Sequence, residues 1–273
     1  MQNKYHETVL VKEVLKEMPK GKVIDCTLGT GGHTEALTDK GYEVLGIEAD
    51  PKMLKIAEER IGDKAKLVLG NFSEIDKIAS EINFDKVNGI LFDLGVSNLH
   101  LKDDSRGFSF TESEQELDMR LNPETQGVRA MDLLNALNVG QLLNLFSKVM
   151  DKGLARKWAN EIIFNRPFKT VSDLKNVAFN MPHKKNLDSA TLPMLALRIA
   201  VNSEYENLEE ALPKAFNLLT NGGKLLVITF HSGEEMILEK VLGGRGFILY
   251  PSDEEVRNNP RSRSAKLHVY EKN

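Results

Sequence analysis

Cysteine is nearly absent: one residue, Cys26, in a chain of 273. A single thiol excludes a disulfide framework and any zinc site built on clustered cysteines. No apolar run approaches the roughly 20 residues that span a bilayer. The opening MQNKYHETVLVKEVLKEM is too polar for the apolar segment of a secretory signal, and it lacks the Arg-rich, acid-poor character of a transit peptide. Internal repeats and low-complexity stretches are also missing, and no His/Asp/Glu cluster has zinc-site spacing. What is there is a chain long enough for one large domain, or a domain carrying an insertion, with an ordinary apolar content for a globular core. A cytoplasmic enzyme or binding protein is expected.

The two signs of charge nearly balance, the net being only −4. That total does not advertise nucleic-acid binding, but the charge is uneven. Arg257, Arg261, Arg263 and Lys266 fall in a stretch without acids, and six bases face two acids between Lys148 and Lys169. Local basic stripes can hold phosphates; they can equally be solvated helix faces.

The first half alternates strand and helix. KVIDC, EVLGIE, KLVL and VNGILFD read as strands, with helices over HTEALTDKG, DPKMLKIAEERIG and GNFSEIDKIASEI. Strands separated by helices at this spacing imply a parallel sheet with right-handed crossovers. From about Leu101 to Leu187 the rhythm changes to turn-rich sequence and helical patterns such as VGQLLNLFSKVM and LARKWANEIIF. A helix over LPMLALRIAVNSEYENLEEALPKAFNLL follows, then a core strand in GGKLLVITF, with FILY and KLHVY placed to close the sheet. The expected architecture is α/β, Rossmann-like and mostly parallel, formed by residues 1–100 and 188–273 and interrupted by a helical insert over 101–187.

The first strand runs into a glycine turn, VIDCTLGTGGHT. Strand, glycine turn and helix together present backbone N–H groups to an anionic ligand. Gly29 and Gly31 fit the first two positions of the dinucleotide fingerprint G-x-G-x-x-G, but the sixth is Thr34, which disfavours NAD. An acid, Asp25, followed by x-T-x-G-x-G is closer to S-adenosylmethionine enzymes, where such a loop holds the amino-acid end of the ligand. Glu48 ends the second strand, 23 residues after Asp25, where a carboxylate can accept both ribose hydroxyls. Asp50 competes for that role, but its place before Pro51 makes it mainly a helix cap. Asn71-Phe72 follows the third strand and can offer an amide and an aromatic face to adenine; core packing is the alternative for Phe72.

Asp93 ends the fourth strand, at the edge where open parallel sheets bind ligands. An amine conjugated to a pyrimidine is a poor nucleophile because its lone pair is delocalised. A carboxylate accepting its N–H localises that pair, aims it at a methyl donor and takes the proton afterwards. Carboxylate to cytosine N4 is also a standard base-edge pairing. A strand-end Asp capping the next turn is the alternative.

HETVLVKEVL, DCTLGTGGHT, DLGVSNLHLKDDSRGFSF, LDMRLNP, ALRIAVNSE, GGKLLVITFHSGEE and NPRSRSAKLHV occur in this order over nearly the whole chain. Together they resemble the MraW family of bacterial small-subunit rRNA cytosine-N4 methyltransferases. The resemblance implies a class I S-adenosylmethionine-dependent methyltransferase fold whose helical insert recognises substrate. It implies methyl transfer from S-adenosyl-L-methionine, leaving S-adenosyl-L-homocysteine and needing no metal, to N4 of a 16S rRNA cytidine near the P site. By position, the family's cofactor contacts fall on Gly31, Gly32, His33, Glu48, Phe72, Asp93 and His100, with Asp93 catalytic. The sequence departs from the family at several points. Glu48 stands where Asp is usual, His100 where Gln is usual, and Leu192 and Leu195 where Arg and Gln are common. Gly233 and Met236 stand where Leu and Arg are common, and FTESEQELDMR lacks the usual Gly-Pro.

Substrate candidates follow from chemistry and place. Arg106 and Phe108 could meet phosphate and stack a base, or tuck their loop onto the insert. Arg198 and Asn202, one helical turn apart, could share a polar site or bond to the edge loops of the sheet. His231-Ser232 follows a core strand and could line a cytosine pocket; no acid in view completes a nucleophile triad with them. The competing functions are a small-molecule methyltransferase, against which the basic pairs Arg156-Lys157 and Lys184-Lys185 argue, and a ribosome-assembly factor that binds cofactor and RNA without catalysis.

Overall fold

The apolar strands pair into one sheet. The computed structural model describes residues 8–102, 105–109, 114–182, 188–244 and 246–273; the pair Lys184-Lys185 lies outside them. Its strands are β1 (Lys22–Asp25), β2 (Glu43–Glu48), β3 (Lys66–Leu69), β4 (Val87–Asp93), β5 (Leu219–Thr229), β6 (Phe247–Leu249) and β7 (Lys266–Glu271). Their order is β3-β2-β1-β4-β5-β7-β6. The first five run parallel, and β7 is antiparallel to both β5 and β6. FILY and KLHVY thus close the sheet. The order reverses between β1 and β4, so the crevice beyond their carboxyl ends is where an open α/β sheet takes a ligand.

Successive side chains point to opposite faces, and both faces are covered. Ile24, Ile90, Phe92 and Val227 pack with Ile75 and Ala79 of α4 (Ile75–Glu81), Leu208 and Leu212 of α11 (Glu204–Leu218), and Ile237 and Leu238 of α12 (Ser232–Leu242). Val23, Leu91, Leu226 and Ile228 pack on the other face with Val14 of α1 (Val11–Glu17) and Leu37 of α2 (Gly32–Thr38). The helix α3 (Pro51–Ile61) starts as its sequence directs: the Asp50 carboxylate accepts from the Lys52 N–H at 2.8 Å and Pro51 opens the first turn. GNFSEIDKIASEI divides into a 3-10 turn, Phe72–Glu74, and α4, because the Asn71 side chain accepts from Ser73 N–H and turns the chain there.

The helical unit holds α5 (Asn98–Lys102), α6 (Ala130–Ala136), α7 (Val139–Phe146), α8 (Lys152–Phe164), α9 (Val171–Phe179) and α10 (Thr191–Val201). Trp158 and Phe146, ring centroids 6.2 Å apart, are fully buried in it with Leu134, Ile162 and Phe168. Asn138 caps α7 and Asp151 caps α8.

The chain forms two compact units: the described residues up to Ser97 with Tyr205–Asn273, and Asn98–Glu204. The boundary at 187/188 expected from sequence is displaced, because α10 packs on α6 and α7. The single helix expected from Leu192 to Leu219 is two, broken at Asn202-Ser203, where Ser203 has φ +49°. The sheet unit also contains α13 (Asp253–Asn258), between β6 and β7. Among the described residues no helix is long and apolar enough to cross a membrane.

Candidate active site at the carboxyl edge of the sheet

Beyond β1 the chain stays tied to both neighbouring strands: Cys26 N–H donates to Leu91 O, and Leu28 N–H to Ile47 O. The turn then reverses through Gly29 (φ +54°) and Gly31 (φ +82°), with Gly31 N–H on Leu28 O. A Cβ at Gly31 would stand 3.0 Å from Ile61, and one at Gly32 only 1.9 Å from the Thr8 hydroxyl. The backbone can therefore reach this conformation only without side chains. Thr34 replaces the fingerprint's sixth glycine for a visible reason: its buried hydroxyl donates to Asp25 Oδ2 at 2.8 Å.

Glu48, at the end of β2, faces this turn. Its Oε2 accepts from Gly29 N–H at 2.7 Å and its Oε1 from Asp50 N–H at 2.8 Å. Burial pushes the carboxyl up to about 7, against the pull of those two donors. Each oxygen keeps a lone pair for a further donor. Asp50 is fully buried and spends its carboxylate on the α3 cap, so the strand-end acid of this crevice is Glu48. Phe72 lies edge-on to Phe92, centroids 5.4 Å apart, partly buried against the core. The Asn71 side-chain oxygen accepts from Ser73 N–H at 2.9 Å.

Asp93 ends β4. Its backbone N–H donates to the Thr27 hydroxyl at 2.6 Å, which fixes the carboxylate at the mouth of the crevice. Asp93 Oδ2 is 3.4 Å from His33 Nε2, while Oδ1 is buried with no hydrogen-bond partner among the described residues. Asp25 lies behind them, and burial raises its carboxyl although the nearby His33, Thr34 and Thr27 N–H draw it back. Asp25, His33, Glu48 and Asp93 are thus gathered on one unit by the ends of β1, β2 and β4 and the first turn of α2.

His231 and Ser232 open α12 at the end of β5. Buried Glu234 sits with Oε1 3.1 Å from His231 Nε2. Its other oxygen accepts the N–H of Phe230 at 2.7 Å and of His231 at 3.2 Å, the reciprocal bond of a helix cap. The signal was the three-residue spacing of H-x-x-E. The departure at Gly233 is explained by Tyr205, whose hydroxyl would stand 1.8 Å from a Cβ there.

The remaining candidates lie on the helical unit. His100 is buried with its ring 5.2 Å from Phe108. Arg106, also buried, donates to Leu121 O at 3.0 Å and lies 5.5 Å from the Phe108 ring. Arg106 and Phe108 are both buried within this unit, the tucked arrangement that was the alternative to an RNA-facing loop. Arg198 grips Glu204 through two bonds of 2.8 and 2.9 Å. Asn202 accepts from Leu121 N–H and Gln126 Nε2 and donates to Met119 O and Arg198 O. In place of an open polar site, or of bonds to the edge loops of the sheet, Arg198 ties α10 to Glu204 and Asn202 fastens the LDMRLNP loop to the end of α10. Among the described residues no group of three His, Cys, Asp or Glu side chains could hold a metal.

A 3-2-1-4-5-7-6 sheet with a glycine turn after β1 and acids ending β2 and β4 defines the class I S-adenosylmethionine-dependent methyltransferase fold. Sequence comparison narrows the class. The chain belongs to the MraW methylase family, whose model matches residues 3–245. It is similar to three proteins named ribosomal RNA small subunit methyltransferase H. The one from Dehalococcoides mccartyi is 37% identical, over 98% of this chain and 86% of its own length. Those from Thermotoga neapolitana and Methylacidiphilum infernorum are 38% and 40% identical, over 98% and 97% of this chain and 96% and 93% of theirs. The protein is a methyltransferase.

Proposed function

We propose that the protein moves a methyl group from S-adenosyl-L-methionine to the exocyclic N4 of a cytidine in the decoding region of 16S rRNA, within the small subunit and in the cytoplasm. The observation that carries this reading is Asp93: a carboxylate held by its backbone at the switch point of the sheet, with one buried oxygen unpartnered among the described residues.

The residues present fit the cofactor. The turn through Gly31 and Gly32, where a Cβ would crowd Ile61 and Thr8, lets the first turn of α2 approach its amino-acid end. Glu48 has a free lone pair on each oxygen for the ribose hydroxyls, and Phe72 has a face for adenine. When bound, the cofactor supplies a sulfonium methyl, an electrophile that requires no metal. Asp93 then accepts the N4 N–H, localises the amine lone pair toward that methyl, and takes the proton as the N–C bond forms. The cytidine must be unstacked, since N4 lies inside any paired helix. The helical unit, 98–204, is the part assigned to recognising RNA. Arg106, Phe108, Arg198 and Asn202 act there by holding its loops in shape, and His231 and Ser232 line the rim of the crevice.

The test is incubation with labelled S-adenosylmethionine and small subunits from cells lacking this protein. Label recovered as N4-methylcytidine is expected, and Asp93→Asn should lower transfer about 10²–10⁴-fold while cofactor affinity changes only a few-fold. Near-wild-type transfer by Asp93→Asn, or no label in cytidine, refutes the reading. A small-molecule acceptor or an assembly factor without catalysis would each give the second result.

A further inference from the structure

His33 is an odd residue to bury. Its side chain is 4% exposed, and neither ring nitrogen has a hydrogen-bond partner among the described residues. A buried, unsatisfied imidazole is costly unless a charge interaction or a function compensates. Two carboxylates supply that interaction. Asp93 Oδ2 is 3.4 Å from Nε2, and Asp25, fully desolvated, interacts electrostatically with the same ring. Asp25 is itself fixed by Thr34 Oγ1 at 2.8 Å and Thr27 N–H at 3.3 Å, so it cannot turn away. Other charged groups around α2 are engaged elsewhere: Arg60 of α3 with Glu35, Lys64 with Asp39, Glu17 of α1 with Lys224, and Glu48 with the N–H groups of Gly29 and Asp50.

We propose that Asp93, His33 and Asp25 form a proton-holding triad in which Asp93 passes the proton released by the methylated amine to His33, whose imidazolium Asp25 stabilises. The proposal rests on the amine-methylation reading above. As the N4–CH3 bond forms, the S–CH3 bond breaks and the sulfonium becomes a neutral thioether. The N4–H bond pair stays on nitrogen, and its proton goes to Asp93. From there it moves to the lone pair on Nε2 of His33, leaving Asp93 again a carboxylate. The cation so formed lies 3.4 Å from the Asp93 carboxylate and in the field of Asp25, which keeps the crevice from holding a protonated, spent Asp93 while product leaves. Asp25 is a positioning residue and touches no reacting atom. The arrangement also gives the first turn of α2 two tasks, backbone N–H groups toward the cofactor and an imidazole toward Asp93.

The experiment is a 15N-imidazole NMR titration of the full chain without cofactor, paired with pH profiles of kcat. The triad requires the His33 titration midpoint to fall by about 1 pH unit or more in Asp93→Asn, as a carboxylate 3.4 Å away is removed, and to fall in Asp25→Asn as well. If Asp25→Asn does not fold, the 13C titration of the Asp25 carboxyl in wild type and His33→Gln reads the same coupling. His33→Gln should lower kcat at least tenfold and displace the acid limb of its profile, with the cofactor KM changed less than threefold. A midpoint indifferent to both acids overturns the triad, as does a His33→Gln enzyme impaired only in cofactor KM. Label found on a carbon or a ribose oxygen would overturn the parent reading instead, and the coupled titration would still be observed.

Discussion

Glu48 makes cofactor recognition sensitive to pH, and the size of the effect follows from its surroundings. Burial raises its carboxyl from 4.5 to about 7, so in the ligand-free protein at pH 5 only about 1% of it is ionised. The two ribose hydroxyls are donors and need the carboxylate. A ligand that binds only the ionised form should then bind about 90-fold more weakly at pH 5 than at pH 8, about 2.7 kcal/mol. Methylthioadenosine is the ligand to use, because it has the ribose and lacks the titratable amino-acid end. Calorimetry on wild type should give an affinity that rises about tenfold per pH unit up to about 7 and then levels. Glu48→Gln should bind weakly with no such slope. The same group sets a stability slope of known sign. Its folded pKa is above the unfolded one, so its contribution is fully present below about 4.5 and is lost as pH rises through about 7. That loss amounts to about 3 kcal/mol relative to Glu48→Gln, readable by urea unfolding across that window. A flat affinity for wild type between pH 5 and 8, or an equal slope in the Gln variant, refutes the assignment of Glu48 to the ribose.

Two further predictions concern the residues that hold the site's surroundings. Asn202→Ala removes acceptors from Leu121 N–H and Gln126 Nε2 and a donor from Met119 O, and should cost about 2–4 kcal/mol in urea unfolding; a loss below about 0.5 kcal/mol would show that the clamp does little. Gly233→Ala drives a methyl into the Tyr205 hydroxyl and should cost about 1–3 kcal/mol. That cost should shrink to a few tenths in a Tyr205→Ala background. Equal costs in both backgrounds would disprove the coupling.

Much of the fold was legible because its signals are local. Each of the first four strands is a short apolar run closed by an acid or a turn residue, and Asp50-Pro51 fixes the start of α3 from two adjacent side chains. The parallel order follows from helices of crossover length between strands. The break at Asn202-Ser203 was not legible, since LRIAVNSEYENL keeps a helical apolar pattern through it. What ends α10 is the Asn202 side chain reaching Met119 and Leu121, about eighty positions away in sequence. For the same reason α10 joins the helical unit: only packing on α6 and α7 decides it.

The sequence by itself determined the chemistry of the crevice. Strand ends bring Asp25, Glu48 and Asp93 to one edge whatever the loops do, because a parallel sheet aligns its carboxyl termini. It also determined the glycine turn, whose positive φ angles at Gly29 and Gly31 favour glycine. Only the tertiary structure decided what each polar group touches. It showed Thr34 and Thr27 holding the two acids, and Glu234 paired with His231. It also showed Arg106, Arg198 and Asn202 turned inward to other protein groups. Hydrogen bonds and ion pairs form across distances set by packing, so a residue's partners are not legible from its neighbours in the chain. His33 shows the difference plainly: by position it opens a helix, and by contact it meets the Asp93 carboxylate.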